Sequence, residues 1–164
     1  MSSTGYDQTI QQVGGYLQDQ VKFDDHWVLT AGGRYDYVRN DLDNHVGAPS
    51  NQKDNAFTGR LGLTYLTDFG LAPYVSYAES FNPNTGTDRS GSTFDPSEAH
   101  QWEVGIKYQP SDAVLMILAA YDLTKTNVIT REVVGGVTTG FSVVSGEQQS
   151  RGIEAEIKAR LDRH

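Results

Sequence analysis

The sequence predicts an all-β chain, an antiparallel up-and-down meander of about seven strands. Three observations predict it. Apolar and polar residues alternate with period two through most of the chain, as side chains on a strand do. Tight turns at Asp24-Asp25, Asp68-Phe69-Gly70 and Pro110-Ser111-Asp112 recur about every 43 residues. Between them lie long polar connections, so short and long links alternate strictly.

The first run, 9–23 (TIQQVGGYLQDQVKF), puts Val13, Leu17, Val21 and Phe23 on one face, together with Asp19, which fits poorly there. Residues 26–40 place Trp27, Leu29, Ala31, Gly33, Tyr35 and Tyr37 opposite Thr30, Arg34 and Asp36. Residues 41–54 are polar with Gly and Pro and read as a loop. Residues 56–67 set Phe57, Leu61, Leu63 and Tyr65 against Thr58, Arg60, Gly62 and Thr64. In 71–81, Leu71, Val75, Tyr77 and Phe81 alternate with Ala72, Tyr74, Ser76 and Ala78, and 82–97 reads as a second long loop.

The hairpin within 94–128 follows. In its first arm Trp102, Val104, Ile106 and Tyr108 face away from Gln101, Glu103, Gly105 and Lys107. The second arm is apolar on both sides: Leu115, Ile117, Ala119, Tyr121 and Leu123 on one, Val114, Met116, Leu118 and Ala120 on the other. Residues 125–147 read as a third long connection, with β-forming stretches at 127–131 and 141–144 able to pair as a small hairpin. The last strand, 150–161, sets Ile153, Ala155, Ile157, Ala159 and Leu161 against Glu154, Glu156, Lys158 and Arg160.

A Greek-key sandwich has no reason to alternate its links so regularly. An outer-membrane barrel does, with short turns on one side of the bilayer and long loops on the other. The aromatics agree. Phe23, Trp27, Tyr65, Phe69 and Tyr108 gather near the short turns; Tyr37, Phe57 and Phe81 lie toward the long links. Trp27 and Tyr37, ten residues apart on one face, project to roughly 25 Å at the usual strand rise and tilt, the height of a barrel's apolar band.

Composition sets limits. No run approaches the ~18 apolar residues of a spanning helix. Cysteine is absent, which removes disulfide scaffolds, thiol catalysis and Cys-based zinc sites. The formal net charge is -8, without a basic stretch, so nucleic acid is not an expected partner. The first residues carry no secretory signal pattern.

Motifs for chemistry are weak. Asp68-Phe69-Gly70 matches a kinase metal-binding tripeptide, but no glycine-rich phosphate loop or His-Arg-Asp accompanies it, and Asp and Gly favour turns for backbone reasons. Asp41, Asp43 and His45 offer calcium-type ligands without the downstream bidentate Glu. His26, His45, His100 and His164 are scattered, and no Gly-x-Ser-x-Gly elbow occurs. No catalytic, cofactor or metal site is expected, and the chain does not read as an enzyme.

Six stretches in order, YLQDQVKFDDHWVLTAGGRYD (16–36), GRLGLTY (59–65), APYVSYAESFNP (72–83), FDPSEAHQWEVGIKY (94–108), AAYDLTKTNV (119–128) and GEQQSRGIEAEIKA (146–159), together resemble the barrel of TonB-dependent siderophore receptors, most of all the ferrichrome and hydroxamate type. The resemblance implies an outer-membrane barrel of about 22 strands, with an N-terminal plug in its lumen. It also implies ferric siderophore as transported ligand, TonB as energy source and outer-membrane lipid around the wall. Against that pattern residues 1–164 read as an internal part of the barrel domain, beginning at an extracellular loop and stopping at the periplasmic end of a strand. The resemblance carries no ligand-contacting residue onto this chain, because in the family these lie largely in the plug and in variable loops.

By alternation Arg34, Asp36, Arg60, Glu103, Lys107, Glu154 and Glu156 are expected to face the lumen, and the links at 41–54, 82–97 and 125–147 to form the outer capture surface. Alone, an unclosed sheet in lipid leaves about five N–H and five C=O groups unpaired on each edge, at several kcal/mol apiece. The chain is therefore not expected to span a membrane as a monomer. Two other readings stand beside this one: a small structural or adhesive barrel, and a soluble β-sandwich binding domain, which Asp19 and the negative mean hydropathy favour.

Overall fold

The computed structural model describes residues 6–44 and 50–160. They form one antiparallel sheet of seven strands in sequence order: β1 (Tyr6–Phe23), β2 (Trp27–Asn44), β3 (Ser50–Tyr65), β4 (Leu71–Asn82), β5 (Ser97–Ser111), β6 (Val114–Val134) and β7 (Val137–Ala159). The meander is as the alternation predicts. His45, Leu161 and His164 lie outside the described residues.

The described residues of two of the three expected long links are largely strand. β2 continues to Asn44 and β3 begins at Ser50, with Leu42 opposite Ser50. The 125–147 link is the outer half of the β6–β7 hairpin, with Ile129 opposite Val144 and Arg131 opposite Ser142, as the small hairpin requires. It grows directly out of the wall through bulges at Lys125–Val128, where Asn127 takes a φ of 54°. Polarity marked 41–54 as a loop, but strands that leave the apolar band have no apolar face to show.

The register divides the sheet into two faces. Phe23 opposes Trp27, Trp27 opposes Tyr65, Leu63 opposes Val75, Val75 opposes Val104, Val104 opposes Ala120 and Ala120 opposes Ile153, so one face is apolar from edge to edge. Leu17, Phe57, Val104 and Ile153 on that face are all exposed. A continuous surface of that extent marks contact with a partner or a membrane. The pairing of Ile106 with Leu118 also settles β6: its Met116, Leu118, Ala120 side is the apolar one, and Ile117, Ala119 and Tyr121 join the polar face. Asp19 stays on the apolar face, opposite Ala31 on the edge strand, where its Oδ1 accepts the Gln20 N–H at 2.8 Å.

Aromatic rings pack at two levels. Phe23 stacks on Trp27 at 6.4 Å and Trp27 meets Tyr65 edge-on at 4.8 Å, beside the short turns. Tyr77 and Trp102 pack at 4.9 Å further along the strands. Among the described residues there is no second sheet and the buried apolar residues are few (Val38, Phe94 and Ala119). A sandwich needs two inner faces packed together, so that alternative is set aside.

Candidate functional site

The polar face holds the candidates. Arg34 lies opposite Thr58, Arg60 opposite Gly32 and Ala78, Glu103 opposite Ser76, Lys107 opposite Ala72, Glu154 opposite Ala119 and Glu156 opposite Ile117. With Asp36 two residues from Arg34, all seven share one face. Arg34 donates both fork nitrogens to Asp36, Nε to Oδ2 at 2.6 Å and Nη2 to Oδ1 at 2.7 Å. Gln12 Nε2 adds a bond to Asp36 Oδ1 at 2.9 Å. Gly14 leaves room for this group, since a Cβ there would meet the Asp36 carboxylate and sit 2.8 Å from Arg34 Nη2, and the pair would have to shift.

A second cluster spans β4, β5 and β7. The Tyr74 hydroxyl donates to Glu103 Oε1 at 2.7 Å, and Lys107 Nζ lies 4.9 Å from the Tyr74 ring centre. The ring lies flat over Gly105, whose Cβ would come within 2.7 Å of it; Tyr121 covers Gly152 in the same way. Lys158 pairs with Glu156 at 3.1 Å, and Arg60 reaches Gln18 Oε1 at 3.4 Å. The face is thus charged but largely self-neutralised, which suits contact with water or another polar surface more than tight capture of an ion.

Sequence reading missed a buried polar group on this face. Asp36, Val38, Asn40 and Gln52 are buried, although all lie on the polar side of β2 and β3. Gln12 and Gln8 of β1 donate to Asp36 and Asn40, and the 83–96 connection reaches Gln52. β3 pairs with β4 only across Arg60–Thr64, so its outer half has no strand neighbour on that side, and the connection fills the gap. Gln52 Nε2 donates to the Phe94 carbonyl at 2.8 Å, and the Phe94 ring is buried. Asn84 Nδ2 donates to the carbonyls of Asp95 (2.6 Å) and Asn127 (2.9 Å), while Asn127 Nδ2 donates to Pro96 O at 2.9 Å. At the tip, Arg89 lies 5.0 Å over the Phe141 ring and 4.0 Å from Glu132, joining the connection to the β6–β7 extension. The signal available in sequence was Phe94 itself, a large apolar residue in an otherwise polar link.

Two titratable groups outside the strands are perturbed. Asp88 accepts from the Ser90 hydroxyl and from the backbone N–H groups of Ser90 and Ser92 at 2.7–2.9 Å, which holds its carboxyl below the usual range. His26 is raised, first by donating Nδ1 to the Asp24 carbonyl at 2.8 Å and then by Asp68, 3.4 Å from Nε2. His26 therefore links the β1–β2 turn to the β3–β4 turn. Asp68-Phe69-Gly70 is a turn, with Gly70 at a φ of 83°. No cluster of three metal-ligating side chains occurs among the described residues, and Asp41, the calcium candidate, pairs with Arg39 at 2.8 Å.

A model of the family described as "TonB dependent receptor-like, beta-barrel" matches residues 2–162. The chain belongs to the TonB-dependent receptor barrels. It is 42% identical over 153 residues to the ferrichrome outer membrane transporter/phage receptor of Escherichia coli K12, covering 92% of this chain and 20% of that protein. It is 37% identical to the ferrioxamine B receptor of Salmonella typhimurium, covering 93% and 21%. The chain thus spans about a fifth of the length of these relatives. Among solved structures, the alcaligin receptor FauA of Bordetella pertussis superposes with a TM-score of 0.75 at 23% identity, covering 95% of this chain and 28% of that one. The FpvAI–pyocin S2 complex gives 0.79 at 22%, covering 98% and 22%. Both carry the same sheet. Family membership places this TonB-dependent chain in the outer membrane of a Gram-negative bacterium, within a family of transport receptors.

Proposed function

We propose that the chain is a stretch of barrel wall in a longer TonB-dependent receptor that imports ferric siderophores of the hydroxamate type. One observation carries this reading: a single sheet with one face apolar apart from Asp19 across its central band and one face of paired charges, in a sequence 42% identical to a ferrichrome transporter. The apolar face meets lipid. Arg34, Asp36, Arg60, Glu103, Lys107, Glu154 and Glu156 line the lumen, hydrating the wall and meeting the plug when TonB moves it. The ferric complex is cargo, and the wall performs no covalent step. Capture falls to the 83–96 connection and the β6–β7 extension, which Arg89 ties into one outer surface.

The test is growth rescue. The full-length gene carrying this chain is expressed in a strain lacking hydroxamate receptors under iron limitation, with ferrichrome and ferrioxamine B as sole iron sources. TonB-dependent growth on one of them is expected. Growth on neither, with the protein present in the outer membrane, would overturn the assignment of cargo.

A further inference from the structure

The apolar face is not flat. It carries a trough of about 610 Å³ bounded by two adjacent cross-strand rungs. In one, Trp27 pairs with Tyr65, Pro73 with Ile106 and Ile106 with Leu118. In the other, Leu63, Val75, Val104, Ala120 and Ile153 follow one another across five strands. The trough crosses the strands rather than running along them. Pro73 and Ala120 also line it, together with Tyr74, Gly105 and Ala119, which the register assigns to the opposite face.

Its size and slope point to an occupant. From β2 to β7 it spans five interstrand gaps, about 24 Å. With strands tilted about 40°, a line perpendicular to them rises roughly 15 Å along the membrane normal, somewhat more than half of an apolar band about 25 Å tall. Its lower end is fixed: Trp27 opens β2 and Tyr65 closes β3, both beside short turns, whereas Ile153 lies six residues before the end of β7. The trough therefore climbs from the aromatic level near the turns to about mid-membrane, the reach of one leaflet.

We propose that the trough is a binding site for one acyl chain of a phospholipid from the leaflet on the short-turn side. The ester and headgroup region rests against Trp27 and Tyr65, whose rings are apolar in body and polar at the tip, with the His26 ring stacked on Tyr65 at 5.6 Å. A second protein surface fits less well. Stable interfaces carry about one hydrogen bond per 100–200 Å², and from Leu63 to Ile153 the second rung offers no polar side chain. An alkyl chain needs none, and in a trough it is contacted on three sides rather than one.

The test uses the full-length receptor carrying this chain, purified in mild detergent and incubated with palmitoyl-oleoyl phosphatidylethanolamine. Retained lipid is counted by native mass spectrometry through stepwise delipidation. Ala120→Phe and Val75→Phe, from two strands, fill the trough; Val13→Phe adds the same ring to the apolar face outside it, and heat-modifiable gel migration selects folded barrels. Wild type and Val13→Phe are expected to keep at least one phospholipid, with occupancy in the trough variants at least about tenfold lower. Equal retention in all four proteins, no retained lipid in wild type, or a dimer that only the trough variants dissolve would overturn the proposal.

Discussion

Phe94→Ala tests how the 83–96 connection is held. The ring is 6% exposed, against 67% for Phe69 in the β3–β4 turn, so the two positions compare one residue type in opposite environments. Truncating a buried Phe costs about 3–5 kcal/mol. Here the loss falls on the connection rather than on the whole sheet, because Phe94 belongs to no strand and its carbonyl is bound by Gln52. Taking the lower bound, about 3 kcal/mol raises the open population of the connection more than 100-fold. Trypsin cleavage after Arg89 in the folded, full-length receptor reads that population directly. Cleavage is expected to accelerate by about two orders of magnitude in Phe94→Ala and to stay at the wild-type rate in Phe69→Ala. An acceleration below about threefold in a barrel that still shows heat-modifiable migration would mean that the ring does not hold the connection down.

Three further outcomes follow from the geometry. Gly105→Ala drives a Cβ to 2.7 Å from the Tyr74 ring, whereas Gly15 has nothing within 4 Å; the first is expected to lose about 1–3 kcal/mol by thermal denaturation in detergent and Gly15→Ala nothing comparable. Gly70→Ala combines a φ of 83° with a clash against the Gln109 carbonyl, and the same assay is expected to show a loss on the order of 1–3 kcal/mol. The His26 link between turns follows pH: with a folded value raised by the Asp24 carbonyl and Asp68, its contribution is full below about 6.5 and disappears as pH rises through the folded value. The Leu66 N–H donates to the His26 carbonyl at 2.7 Å. The protection factor of that amide, taken relative to the base-catalysed intrinsic rate, is expected to fall over that window in wild type and to lose the dependence in His26→Ala.

The strand order and the two faces were legible because a sheet covered differently on its two sides must alternate. Arg34, Arg60 and Glu154 land on one face for that reason alone. Alternation gave nothing at β6, apolar on both sides, until the partner strand fixed which side joined Val104 and Ile106. It also failed beyond the apolar band at Asp41–Asn44 and Ser50–Asp54, where β2 and β3 continue through polar residues, whereas the β-forming stretches at 127–131 and 141–144 do pair as a hairpin. The buried group at Val38, Gln52 and Phe94 was invisible for a different reason. It joins residues 42 positions apart through a backbone carbonyl, which has no sequence signature. The trough is likewise a property of rungs, visible only once the register across six strands is known.

The central claim is that the two faces meet different solvents, and site-directed spin labelling tests it most directly. The chain has no cysteine among its 164 residues, so single cysteines can be placed without background from it. Labels at Leu17, Val104 and Ile153 on one face, and at Lys107, Glu103 and Glu154 on the other, are compared in the full-length receptor in phospholipid vesicles. The account predicts that oxygen broadens the first set and a water-soluble nickel chelate the second, alternating between Glu103 and Val104. Equal accessibility to the chelate on both faces would contradict a barrel wall and return the chain to a sheet that meets water on each side.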